Sequence, residues 1–550
     1  MKKHIFLVLA LLLSMSAIAD GEASMAENSP EPFQAGIAPK PNEAEAQAAP
    51  EQHRFDIMEY QVVGNSLLPA AKIEEAVYPF LGQSLSIEDV DKAREALEKL
   101  YHQEGYLTVL VSVPEQKVDA GVVRLDVTQA PVERLRVTGS RYYSLGRIKA
   151  VTAELEEGKV PHFPTVQKEL GTLNRTADRR VTPVLKPGKT PGTVAVDLKV
   201  EDQLPLHGSI ELNDHYSADT TKTRLSANVR WDNLWQLDHS IGVSIQLSPE
   251  NTDESKVISG TYSIPLASGD YLALYGVHSE SNVAAVGTLN VLGNGDIVGL
   301  RFIHPLPTLE NFYHSLTLGV DYKNFVQTVN ISNLSSGSFN TPISYLPFMA
   351  SWEANWNGES STTNLGIILN AHLRDVVGSE KEFDDKRFKG HSDYFYLRAN
   401  LAQNWKWKGG FGVGLKLTGQ LSGQALISNE QFAIGGADSV RGYLESEALG
   451  DTGFTASLEL RSPSFANRLS DKITQLYVLG FMDAGQIRVK DPVPGSSSLT
   501  EVELASAGLG LRAEGLGGWK GGVDIAYPLR EGPRTPDGDT RLSFSLGYGF

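Results

Sequence analysis

Two short stretches near the C-terminus combine residue types that can do chemistry together. Residues 435–443 read Gly-Gly-Ala-Asp-Ser-Val-Arg-Gly-Tyr, and residues 480–485 read Gly-Phe-Met-Asp-Ala-Gly. A guanidinium offers a planar fork of donors that grips a carboxylate at two points, so Arg441 and Asp483 are a candidate ion pair. Gly442 permits the turn that presents Arg441, and Gly485 is expected to leave room beside the carboxylate. Val440 and Tyr443 flank the Arg; Phe481 and Gly485 flank the Asp at alternate positions. Such a pair fastens one segment to another and has no catalytic role.

Other chemistries lack their residues. A hydrolase needs a Ser or Asp with a His partner. His304, His314, His372 and His391 are present, yet none stands in a nucleophile or metal motif. No P-loop, His-Glu-x-x-His or EF-hand run occurs. With no Cys, thiol catalysis, Cys-ligated zinc and disulfides are excluded. Neither a catalytic residue nor a cofactor nor a metal is expected. The formal charge of -17, from 66 acidic against 49 basic residues, would repel phosphate backbones, so nucleic acid is not a partner.

The segments that must position Arg441 and Asp483 alternate as β-strands do. Leu225, Ala227, Val229 and Trp231 oppose Arg224, Ser226, Asn228 and Arg230; Leu316 to Tyr322 and Phe395 to Leu401 repeat the pattern. In residues 476–485, Leu476, Val478, Gly480, Met482 and Ala484 form an apolar face, which turns Phe481, Asp483 and Gly485 the other way. The closing segment sets Leu542, Phe544, Leu546, Tyr548 and Phe550 against Arg541, Ser543, Ser545, Gly547 and Gly549. One face wants lipid and the other water. Polar faces that carry Arg and Asp, with no helices from residue 206 onward, predict a transmembrane β-barrel with a wet lumen. About sixteen antiparallel strands fit between the turn clusters. All seven tryptophans fall in this region, several near strand ends, as interfacial girdles require. Residues 425–452 are too long for an idle hairpin turn and are expected to form a loop inside the lumen.

Ahead of the barrel, residues 1–19 carry Lys2, Lys3 and His4, an apolar run, and Ala17-Ile18-Ala19, which predicts a cleaved signal peptide. Residues 20–53 are a linker rich in Pro, Ala and Glu. Two small α/β units follow, at residues 54–129 and 130–202. Each has the order β-α-α-β-β, and Val137-Thr138-Gly139-Ser140 repeats Val62-Val63-Gly64-Asn65.

From residue 54 onward the chain resembles the two-partner secretion transporters, the hemolysin secretion/activation group of the POTRA plus β-barrel superfamily. The likeness rests on two tandem units like polypeptide-transport-associated (POTRA) domains, the barrel, the Val440-Arg441-Gly442-Tyr443 loop and the Phe481-x-Asp483-x-Gly485 strand. It implies an outer-membrane translocator with periplasmic POTRA domains. The loop would fold into a porin-like channel, where Arg441 meets Asp483. Residues 54–202 would bind a large secreted exoprotein, which crosses the barrel without ATP. Phe550 resembles the C-terminal signal for insertion, which implies the barrel assembly machinery and outer-membrane lipid as further partners. Family members often carry a helix that plugs the pore, but the linker offers only residues 42–49 for one. Closure is therefore expected to fall to the loop around Arg441 alone. The alternatives are an assembly or insertion factor of the same superfamily, which usually has three or more POTRA domains, and a barrel hydrolase.

Overall fold

The computed structural model describes residues 54–550, apart from 119, 282–283, 287–288, 292, 327, 331–337 and 495–499. The expected signal peptide and linker, with residues 42–49, lie outside the described residues.

Alternating sequence closes on itself, although the expectation of no helices from residue 206 onward fails at Glu380–Lys386, a two-turn helix that Ser379 and Glu382 cap in the connection between two strands. The barrel runs from Leu206–Asn213 to Arg541–Gly549, with every neighbouring pair antiparallel. Ile343–Tyr345 and Phe348–Asn357 both pair with Phe312–Phe325 and make one interrupted strand, so the wall has 16 strands. Val229, Leu318, Phe395, Met482 and Leu542 are exposed on the outer surface, as a lipid-facing band requires. Asp321, Tyr396, Phe481 and Asp483 are buried on the inner face. Leu476 departs from the expected lipid face. The turn at residues 462–470 folds back over it, with Phe465 N–H donating to its carbonyl at 2.8 Å, and buries the side chain.

The N-terminal units attach at the start of Leu206–Asn213, which marks the periplasmic rim. All seven tryptophans lie toward this rim, while exposed Tyr322, Phe395 and Tyr527 stand on the outer face toward the opposite one. Trp519 packs on Tyr548 with ring centroids 4.9 Å apart, and Tyr548 on Phe550 at 6.2 Å.

Each N-terminal unit is a three-stranded sheet backed by two helices. In the first, Glu59–Val63 pairs parallel with Val122–Gln129, which pairs antiparallel with Val109–Ser112. In the second, Val132–Thr138, Val194–Asp202 and Arg179–Pro187 reproduce that order. Ile87–Gln103 opens on a capping box between Ser86 and Asp89 and buries Val90, Ala93, Leu97 and Tyr101. The repeat extends to backbone geometry. Gly64 and Gly139 adopt φ of 92° and 93°, and a Cβ there would fall 2.4 Å from the Val127 carbonyl oxygen and 2.3 Å from that of Val200. Only glycine fits such an approach at positive φ.

The second unit docks on the barrel through the turn between Arg224–Leu234 and His239–Leu247. Buried Arg179 grips Asp238 with two bonds of 3.1 Å and stacks its guanidinium 4.5 Å from the Tyr143 ring centroid. Gln236 accepts from Ser144 N–H at 2.8 Å and donates to the Tyr142 carbonyl at 3.1 Å. Trp235, Gln236 and Asp238 all hold positive φ, so the turn bends sharply to present these groups.

Candidate functional site in the barrel lumen

Residues 423–451 join Gly412–Ser422 to Thr452–Arg461 at the rim opposite the N-terminal units, and they fold inward. The fold of this segment depends on left-handed turns at Gly435, Gly436 and Gly442, with φ of 100°, 107° and 93°. Ala437 N–H donates to the Glu445 carboxylate at 2.8 Å, and Leu444 N–H to that of Glu447 at 3.1 Å. These short-range bonds shape the stretch that carries Arg441.

The wall opposite is made by Thr452–Arg461 and Ile473–Arg488, whose register sets Ser457 beside Asp483 and Glu459 beside Phe481. Arg441 lies across all four. Its Nε and Nη2 donate to Asp483 at 2.7 and 2.8 Å, and its own backbone N–H adds a third bond at 3.1 Å. Nη1 donates to Glu459 at 2.8 Å and Nη2 to Ser457 Oγ at 3.1 Å. The guanidinium carbon sits 3.6 Å from the centroid of the Phe481 ring, a cation–π contact on the remaining face. Arg441 and Asp483 are buried, at 6% and 3% exposure, so their attraction is little screened by solvent.

Tyr443 extends the attachment to the next strand. Its hydroxyl donates toward the carbonyls of Ala505 and Arg530, at 2.9 and 2.7 Å. Glu447 accepts from the N–H groups of Arg534 and Thr535 at 2.7 and 2.8 Å. Val440 is fully buried against Ile434, Ile487, Val502 and Leu504.

The structure thus brings together Val440, Arg441, Gly442, Tyr443, Phe481, Asp483 and Gly485. The role expected of Gly485 changes. A Cβ there would meet Val440 Cγ2 at 3.0 Å, so the missing side chain makes room for Val440 and not for the Asp483 carboxylate. Sequence reasoning also passed over Glu459 and Ser457, which share the inward face of their strand. The four histidines are dispersed. His304 bonds Asp270 at 2.6 Å, His391 bonds Glu380 at 2.9 Å, His314 accepts from Trp352, and buried His372 contacts the Ser392 carbonyl. Among the described residues, Asp178, His207 and Asp232, and separately Glu380, His391 and Asp393, are close enough to share an ion. In the first group Gln203 and His207 already bond Asp178 at 2.8 and 2.9 Å, and Arg230 and Ser240 bond Asp232.

Comparison with known proteins agrees with this layout. Residues 55–130 match the model of the POTRA domain, ShlB-type. The heme/hemopexin transporter protein HuxB of Haemophilus influenzae is 20% identical over 505 residues, covering 86% of this chain and 84% of that protein. The outer membrane transporter CdiB of Dickeya dadantii is 22% identical over 415 residues, covering 73% and 69%. In fold, the chain is similar to CdiB from Escherichia coli, with a TM-score of 0.62 and 18% identity over 92% of each chain. It is also similar to BamA from Haemophilus ducreyi lacking POTRA domains 1-3, with a TM-score of 0.53 and 16% identity over 90% of this chain and 100% of that one. Residues 192–513, more than half of the chain, match the model of the haemolysin secretion/activation protein ShlB/FhaC/HecB, and the chain belongs to that family of outer-membrane transporters.

Proposed function

We propose that this barrel exports one large exoprotein from the periplasm to the cell surface, that the partner docks first on residues 54–202, and that no ATP is used. Membership of a family of two-partner secretion transporters supports export of a partner. The periplasm holds no ATP, and the partner's folding outside the cell would make transport directional. The loop bearing Arg441 lies across the route and must shift for a polypeptide to pass.

Docking by strand addition at a sheet edge is favoured by which edges are free. Val109–Ser112 is covered, since Val111 N–H donates to Glu98 at 3.0 Å and His102 bonds the Val109 carbonyl at 3.1 Å. Val132–Thr138 is covered by Glu157, which accepts from Leu135 N–H, and by residues 158–159. Arg179–Pro187 carries Pro183 and Pro187, which lack N–H donors. Among the described residues no such cover falls on the outer edge of Glu59–Val63, which makes it the preferred edge.

The observation that carries the translocation reading is the three-bond grip of Arg441 on Asp483 inside the lumen. Its test is Arg441→Ala, with the partner assayed in the culture medium and barrel insertion checked by folded migration on unheated gels. Secretion is expected to fall at least about tenfold, the scale of losing a charge-assisted contact. Undiminished secretion from a normally inserted barrel would remove the loop from the mechanism.

A further inference from the structure

A barrel lumen that conducts is lined by polar side chains. Along one arc of its extracellular end this one is not. Val257, Val277, Ile297, Phe325 and Ile343 come from five neighbouring strands, face inward, and are each no more than 6% exposed. They are kept from water by Leu426 and Ile427 of the lumenal loop and by Phe383 of the outer helix Glu380–Lys386, all buried. A dry apolar layer therefore lines this arc of the mouth, where alternation predicts a wet wall.

Glu430 holds the loop in that layer. It is 3% exposed and accepts hydrogen bonds from Lys323 Nζ, Tyr345 Oη and Tyr396 Oη, each at 2.7 Å. These donors stand on three strands of the wall, away from the Arg441 site on Thr452–Arg461 and Ile473–Arg488. The polarity is reversed: here the loop supplies the carboxylate and the wall the cation. Asp451, fully buried, ties the same loop to the outer cap, accepting from Leu426 N–H at 2.8 Å and lying 3.4 Å from Arg387.

We propose that Glu430 is a second positioning residue, which seats Leu426 and Ile427 in an apolar seal that closes the extracellular mouth at rest. The loop is then fastened at two walls by opposite charges, and release of Arg441 from Asp483 leaves the mouth shut. An emerging chain must displace both fastenings. This goes beyond the translocation reading, because a closed mouth is a property of the barrel with or without a partner.

The test uses the purified full chain in planar bilayers, and intact cells challenged with vancomycin, an antibiotic too large to pass a sealed outer membrane freely. Glu430→Ala is expected to raise the open fraction at least about tenfold and to sensitise cells, since it removes several charge-assisted bonds at once. Glu430→Gln, which still accepts from both tyrosines, is expected to restore most of the closure. Tyr396→Phe, which removes one donor and no charge, covers the case in which Glu430→Ala fails to fold, and should open the mouth to a lesser degree. A folded Glu430→Ala barrel as tight as the parent, or a folded Tyr396→Phe barrel as tight as the parent where Glu430→Ala does not fold, overturns the proposal. Neither reading needs the partner, so failure here is distinct from failure of the secretion assay.

Discussion

Arg441 answers two carboxylates, Asp483 and Glu459, and that division sets what each is worth. Asp483 takes two side-chain bonds and the backbone N–H of Arg441, with its carboxylate fully buried, whereas Glu459 takes one bond and also serves Arg461 at 2.7 Å. Breaking a buried pair leaves an uncompensated charge and costs about 3–5 kcal/mol. Asp483→Ala is expected to lose an amount toward the lower end of that range, since Glu459 still faces the guanidinium. Glu459→Gln should lose about 1 kcal/mol, the scale of a single hydrogen bond. The temperature at which unheated samples lose their folded migration would rank the two, and equal shifts would contradict this division. Asp483 was legible because alternation over residues 476–485 turns it inward and a guanidinium fork matches a carboxylate. Glu459 was legible in principle, since Ser457, Glu459 and Arg461 share one face of an alternating strand. Glu430 was not. It sits on a one-turn helix in irregular chain, where no periodicity says which way a side chain points.

At the scale of elements, the repeat of the N-terminal units was readable because each needs a glycine at the same left-handed corner. The strand Gly82–Leu85 was not, since Gln83 and Ser84 break any alternation and it pairs only with Phe55–Ile57. Edges carry the functional distinction between these strands. A backbone donor already bonded within the domain cannot add a strand, whereas an unbonded one can. Hydrogen exchange of the full chain should therefore slow at least about tenfold at residues 59–63 when the partner exoprotein binds. The amides of residues 109–112 and 132–138 should be unchanged. Protection appearing on those covered edges would move the docking site elsewhere. The docking turn with Arg179 and Asp238 holds the second unit at the periplasmic rim, and Phe163 N–H donating to the Gly105 carbonyl at 2.9 Å joins the first unit to it, so a segment bound at residues 59–63 is held near the pore it must enter.

For the whole molecule the decisive feature is the seam where the chain's first and last barrel strands meet. Leu206–Asn213 and Arg541–Gly549 share only the register pairs from Ser545↔Asn213 to Gly549↔Ser209. At the lower end Gly208 and Phe550 exchange backbone hydrogen bonds of 3.0 Å. Above Ser545 one long backbone bond remains, from Asp214 N–H to the Phe544 carbonyl at 3.4 Å, and side chains take over, with Phe544 N–H donating to Asp214 Oδ1 at 2.7 Å and Arg541 donating to the Asp214 carbonyl at 3.3 Å. An assembly factor that passes strands into the membrane would have to part this seam, whereas export through the lumen leaves it shut. The chain has no native cysteine, so one engineered disulfide can separate the two routes without competing thiols. Leu212 and Leu546 are direct partners on the outer face, and paired strand positions fall within the 4.4–6.8 Å Cα separation a disulfide spans. With Leu212→Cys and Leu546→Cys joined, the partner is expected in the medium at the level seen after reduction. Secretion that falls with oxidation and returns with reductant would show that the wall itself opens, and the family's barrel would then be working here by strand exchange and not as a channel.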